Sequence, residues 1–280
     1  MHMADALLSP AVGCTMWAAS AAALAWATRR LKAQADEGRL KTQADEGLVP
    51  LMGVLGAFIL ALQMLNFAIP ATGSSGHLGG GLLLAILVGP AAALVVMASV
   101  LGIQALIFAD GGLLAWGANL FNLGVLPCLL AYPLLYRPLA GAAPSARRAG
   151  IAALVAAVVG LQLGAAGVVA ETALSGVAGL PWQTFAWLMQ PIHLAIGIAE
   201  GLATAALLAF LRANAPELLR RTDPGAEWRR PLMRRAALAA LVAGGVLSWF
   251  ASPLPDGLEW SLARAGAATA APAPSPATAP

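Results

Sequence analysis

Apolar residues run along this chain in stretches long enough to cross a bilayer, separated by short polar blocks. A helix needs about 20 apolar residues to span the hydrocarbon core. Stretches of that kind fall at roughly 10–30, 49–70, 113–136, 149–172, 187–211 and 234–250. Between His77 and Asp110 lies one longer apolar region, interrupted by Gly89-Pro90. Proline removes a backbone donor and disfavours helical geometry at the residue before it, so the region divides into a short piece, 80–89, and a helix, 91–109. At a 1.5 Å rise per residue the short piece cannot span. It must be shielded by other helices, because irregular backbone survives at membrane depth only inside protein or along a wet cavity.

The positive charges support that division. Orientation follows the Lys and Arg content of short loops. With two pieces, three blocks share one face: Arg29, Arg30, Lys32, Arg39 and Lys41; Arg137, Arg147 and Arg148; and Arg212, Arg220, Arg221, Arg229, Arg230, Arg234 and Arg235. Fifteen of the sixteen basic residues then lie on the cytoplasmic side, with Arg264 outside; an unbroken region would turn the second and third blocks outward. The reading is an all-α polytopic membrane protein with an external amino terminus. Seven segments lead to a cytoplasmic stretch, 212–233, and an eighth follows at 234–250.

Composition agrees with a bilayer setting and excludes other classes. Of 280 residues, 60% are apolar and 10% charged, and the mean hydropathy is +0.79, values unsuited to a domain with a solvated surface. A net charge of +3 and a pI near 9.3 do not indicate nucleic acid, because the basic residues lie in blocks between apolar runs. Cys14 and Cys128 sit inside apolar segments and read as small core residues. The stretches KAQADEG at 32–38 and KTQADEG at 41–47 read as a duplicated, solvated spacer. Residues 261–280, rich in Ala and Pro, read as a disordered tail.

The polar residues left on the external face are Met1, His2, Asp5, His77, Asp110, Asn119 and His193, and they include all three histidines. Residues 1–28 contain no Lys or Arg, so no cleaved signal peptide is expected, and the bulky His2 should leave Met1 in place. In an NH2-X-His terminus the α-amine, the His2 amide nitrogen and His2 Nδ1 can close a five- and a six-membered chelate ring on one metal. A fourth nitrogen would complete a planar set suited to Ni(II) or Cu(II), with Co(II) close behind and tetrahedral Zn(II) fitting less well. His77, in the glycine-dense turn Gly73 to Gly81, is the candidate fourth ligand. The alternative is a flexible turn with an incidental histidine.

Other polar positions carry two readings each. His193 and Glu200 are seven residues apart on one helical face, either orienting ligands or holding the bundle together. Asn119 and Asn122 have the same two readings. Ala18 with Ala22, and Ala19 with Ala23, have the spacing of close helix packing. The chain has no phosphate-binding glycine-lysine motif, so any ATP hydrolysis belongs to another chain, and no H-E-x-x-H pair of a metalloprotease.

The opening Met1-His2-Met3-Ala4-Asp5-Ala6-Leu7-Leu8-Ser9-Pro10, the Ser74-to-Gly80 turn, Gly117 to Asn122 and Pro191 to Gly201 together resemble the CbiM/NikM family, the cobalt or nickel substrate-binding components of energy-coupling factor transporters. The resemblance covers about residues 1–215 and differs at Ala4 and Ala6, where Pro and Gly are common. It implies a seven-helix S component in the bacterial inner membrane, holding Ni(II) or Co(II) as transported substrate with the Met1 amine, both His2 nitrogens and His77. It also implies a transmembrane coupling protein and cytoplasmic ABC ATPases as partners, with no organic cofactor. The alternatives are an S component for an organic vitamin and an intramembrane metalloenzyme. After a linker, 216–233, the unit 234–260 pairs a membrane helix with Pro253-Leu254-Pro255-Asp256-Gly257-Leu258-Glu259-Trp260, which resembles the PDGLE signature of the small companion subunit NikN or CbiN. That companion has a further helix after its signature, which the tail is not expected to supply.

Overall fold

The computed structural model describes residues 2–36, 48–214 and 226–270. Its helices are α1 (Pro10–Asp36), α2 (Val49–Gln63), α3 (Gly81–Val88), α4 (Pro90–Ile107), α5 (Trp116–Ala140), α6 (Ala146–Ser175), α7 (Trp182–Asn214), α8 (Ala226–Gly245) and α9 (Gly257–Ala270). Five of them, α1, α4, α5, α6 and α7, are long and apolar enough to cross a membrane. The architecture is an all-α polytopic membrane bundle. Most of α5, Phe121–Tyr136, is wound as a π-helix around Pro127 and Pro133, residues that deny the α-helical ladder its donors.

The break at Gly89-Pro90 is present. Gly89 has φ 89° and ψ 159°, a conformation open to glycine, and Pro90 opens α4 where its missing N–H is not needed. The short α3 is enclosed by α4, α5 and α6, with Gly81 to Ala85 buried.

Three boundaries differ from the hydropathy pattern. The helix read as 49–70 ends at Gln63, and Phe67–Ile69 (β1) pairs antiparallel with Ser74–Gly76 (β2) in a two-stranded hairpin. Pro70 cannot extend a helix, and the Thr72 hydroxyl bonds to Ile69 O and Ser74 N across the turn. The helix read from 234 begins at Ala226, inside the stretch read as linker. In place of a disordered tail from 261, α9 continues to Ala270. Its start is a capping box: Asp256 Oδ1 accepts from Glu259 N at 2.8 Å and Glu259 Oε2 accepts from Asp256 N at 3.2 Å. An alanine-rich segment following such a cap is a good helix former. The first copy of the duplicated spacer extends α1 as far as Asp36, and the second lies outside the described residues.

Helices α6 and α7 pack backbone to backbone. A Cβ on Gly201 would stand 2.7 Å from Leu154 Cα, and one on Gly197 would stand 3.0 Å from Val158 Cα. This contact fixes the height of the polar residues on α7. Gly201→Ala should therefore lower the thermal unfolding temperature in detergent, because overpacking by about 1–3 kcal/mol exceeds the helix-propensity gain of about 1 kcal/mol. Gly53→Ala in α2, where a Cβ meets nothing within 4 Å, should leave that temperature unchanged or raise it.

Candidate metal centre

The amino-terminal segment is threaded into the bundle and ends in a 3-10 turn, Asp5–Leu7. Met3 is fully buried, and Asn119 clamps its peptide from both sides: Met3 N donates to Oδ1 at 2.7 Å, and Nδ2 donates to Met3 O at 3.1 Å. Two residues on, Asp5 Oδ1 accepts the Ala115 N–H at 2.8 Å, at the start of α5 where helix donors have no internal partner. The clamp delivers His2 to the interior. Met1 lies outside the described residues.

His2 and His77, 75 positions apart, meet there. Their rings stack with centroids 4.9 Å apart and planes 7° from parallel. Burial first, and then the positive charge of the terminal ammonium, hold both imidazoles at a pKa of about 3, so each is neutral at pH 7. His2 Nδ1 lies 3.3 Å from Asp110 Oδ2. Proximity alone would suggest an ion pair, but the ring is neutral at pH 7. Burial raises Asp110 above its ordinary range, against the opposing positive charges. The Nε2 of His2 is buried and has no hydrogen-bond partner among the described residues.

The His77 loop is held from below. Glu200 on α7 accepts Gly79 N at 2.8 Å and Gly80 N at 3.1 Å. Gln63 Nε2 donates to Gly79 O at 2.7 Å, and Gln104 Nε2 supports Gln63 Oε1 at 2.9 Å. The glycines serve this seating: Gly80 has φ 78°, and a Cβ on it would lie 2.6 Å from Ile59 Cδ1.

The carboxy-terminal segment closes over the same loop. Ser75 N donates to Pro255 O, and Ser75 Oγ donates to Leu254 O, each at 2.8 Å, so chain near Asp256 runs alongside β2. Burial opposes the Asp256 charge, but the terminal ammonium and the Glu259 N–H outweigh it and hold the carboxyl below its usual range. A cavity lined by His77, His193, Asp256 and Gly257 lies beneath, with free space of about 10 Å3 for the centre of a water-sized sphere.

Of the residues singled out in the sequence, the structure brings His2, His77, Asp110 and His193 to this region. Asp5, Asn119 and Glu200 hold the segments that carry them. Gln63, Gln104 and Asp256 escaped the sequence reading. Gln63 and Gln104 are lone amides in apolar stretches, and the D-x-x-E spacing at Asp256 was a capping-box signal. Among the described residues no three His, Cys, Asp or Glu side chains gather as a metal-ligand cluster. A metal held here needs donors other than such a cluster, and the chain's own nitrogens are the available kind.

The family model described as "Cobalt uptake substrate-specific transmembrane region" matches residues 2–218. This chain belongs to the CbiM family. A second model, the PDGLE domain, matches residues 230–279. CbiM-family relatives include a Haloquadratum walsbyi protein named for metal transport, 34% identical over 78% of this chain and 93% of its own length. They also include the fused nickel transport protein NikMN of Rhodobacter capsulatus, 32% identical over 86% of this chain and 70% of that one. The cobalt transport protein CbiM of Sorangium cellulosum is 30% identical over 79% of this chain and 95% of that one. A crystal structure of a transition metal transporter superposes with a TM-score of 0.64 at 28% identity, covering 79% of this chain and 97% of the other. A truncated transition metal transporter gives 0.62 at 29% identity, covering 76% and 99%. The chain is thus a membrane protein of a cobalt and nickel transport family.

The Asn119 clamp gives this subsection its prediction. Asn119→Ala removes two buried hydrogen bonds and leaves the Met3 peptide unpaired, at a cost of about 1–3 kcal/mol. Hydrogen exchange at Met3 and its neighbours should accelerate, while exchange across α6 and α7 stays as in the wild type.

Proposed function

We propose that this chain is the substrate-capturing membrane subunit of an energy-coupling factor transporter for Ni(II) or Co(II). The ion is the substrate. The Met1 amine, the His2 amide nitrogen and His2 Nδ1 chelate it from one side, and the His77 imidazole donates from the other. The observation that carries this reading is the stacking of His2 on His77 inside the protein, both neutral and therefore able to offer lone pairs.

The chemistry asks more of the neighbours. His2 Nδ1, 3.3 Å from Asp110 Oδ2, binds an ion only in the tautomer that carries the ring's single proton on Nε2, so capture requires that tautomer while Asp110 supplies negative charge beside the ion. Metal capture releases protons wherever ligands start protonated. Asn119 and Asp5 fix the path of the terminus, and Glu200 fixes the His77 loop, so the donors meet without ordering chain at the moment of capture. Inward transfer then depends on a transmembrane coupling protein and cytoplasmic ABC ATPases on other chains. The PDGLE segment acts as the built-in helper, and the amino terminus faces outward from the inner membrane.

Both rival readings fit less well. Organic ligands occupy pockets of about 300–1,000 Å3, far above the free space beside the histidines. An intramembrane metalloprotease of the H-E-x-x-H type needs a pair of histidines that this sequence does not carry at that spacing.

Purified chain with its native start should retain about one Ni(II) or Co(II) per molecule by native mass spectrometry. An N-terminal extension, His2→Ala or His77→Ala should each weaken retention on the order of 100-fold or more, since changes outside the ligand shell already cost about 10–100-fold. Undiminished retention by the extended protein would remove the mechanism. Asp110→Asn should keep the stoichiometry but lower affinity by about 10–100-fold.

A further inference from the structure

His193 has a local arrangement that the capture reading does not use. It lies on α7, fully buried, with Nδ1 2.8 Å from Met189 O on the preceding turn. A carbonyl can only accept, so Nδ1 carries the proton and Nε2 carries the lone pair. Nε2 is buried and has no hydrogen-bond partner among the described residues. The ring lines the cavity that His77 and Asp256 line from other elements. An imidazole fixed through Nδ1–H to a backbone carbonyl, with an unpaired Nε2 on a ring that lines a cavity, is the arrangement of metal-ligating histidines. A histidine used only for packing has no need to leave a buried acceptor unsatisfied.

The cavity suits a small guest. Its free space just admits one water or one compact ion. The roof is shaped to it: a Cβ on Gly257 would lie 3.2 Å from His193 Cε1 and 2.6 Å from Ile192 Cγ2, so glycine lets the PDGLE segment lie directly on the imidazole. The Asp256 carboxylate on the same wall supplies negative charge beside the space.

We infer that His193, with His77 across the cavity, forms a second and deeper binding position for a divalent transition-metal ion. This inference deepens the capture reading and rests on it for the direction of travel. His77 is common to both positions, so the ion moves by exchanging the terminal nitrogens for His193 Nε2 while the His77 imidazole stays bound. With two imidazole nitrogens in place of the chelate's four nitrogens, the deeper position binds more weakly than the chelate. Because His77 is shared, both positions are not filled at once, and the deeper one is exposed to measurement when the terminal chelate is disabled.

The test compares full-length protein in detergent with a native start or with an N-terminal extension, each with His193 and with His193→Gln, titrated with Ni(II) alone. The extended chain is expected to keep one weaker ion, lost in its His193→Gln version. The native-start His193→Gln protein should keep its tight ion, which also reports that it folds. If the substitution unfolds the chain, His193→Cys, a ligating replacement, is expected to restore the weaker ion in the extended protein, and its failure to do so would overturn the site. An extended chain that binds no ion, or whose weak ion survives His193→Gln, overturns the deeper position and leaves the capture reading standing. An extended chain that binds as tightly as the native start defeats the capture reading instead. In that case loss of the ion on His193→Gln supports the His193 site alone, and retention overturns both.

Discussion

A carboxylate inside a membrane bundle must find hydrogen-bond donors or surrender its charge, and Glu200 finds them in the backbone of another segment. By accepting the N–H groups of Gly79 and Gly80 it ties the loop carrying His77 to the middle of α7. The other side of that tie is the tight contact of α7 with α6 at Gly197 and Gly201, which lets no slack into the position of the carboxylate. Gln63 and Gln104 then satisfy the Gly79 carbonyl, so the loop is bonded through both kinds of backbone group. An imidazole on a surface turn would be mobile. Here it is placed by bonds that start at the centre of the bundle.

The opposite face of the centre is built on the same principle with different parts. Asn119 treats Met3 as a strand neighbour would, giving one donor and one acceptor to the backbone of a single residue. Asp5 caps the beginning of α5 and so fixes the terminal segment to the element that carries Asn119. The stacked pair of His2 and His77 is where these two constructions meet. Neither ring could be buried in charged form at tolerable cost, and their depressed pKa values state that constraint in chemical terms.

Much of this was readable from residue order, for reasons that differ by element. The division at Gly89-Pro90 was legible because proline and charge placement gave the same answer independently. The meeting of His2 and His77 was legible because histidines are rare in this chain and shared one side of it. The hairpin Phe67–Ile69 with Ser74–Gly76 was hidden, since three-residue strands have no periodicity to detect and Phe67 to Ile69 extend an apolar run. Helix α9 was hidden because alanine-rich sequence suits both a tail and a helix, and the capping box of Asp256 and Glu259 decides between them. The position of the PDGLE segment at the centre was beyond reach of sequence altogether. It depends on backbone bonds from Ser75, which carry no residue-specific signature.

Those bonds bear on how an ion would leave. A planar chelate of four nitrogens holds its ion well, and a transporter needs binding favourable enough to load but weak or distributed enough to release. Distribution over two positions meets both demands when one donor is shared, because each exchange breaks only part of the ligand set. On the proposed reading, His77 is that shared donor, and Gly257 lets the PDGLE segment lie on the His193 ring. Seated there, the segment confines the guest to a space one ion or one water can fill. Fusion of this segment to the metal-binding unit fixes its supply at one per site.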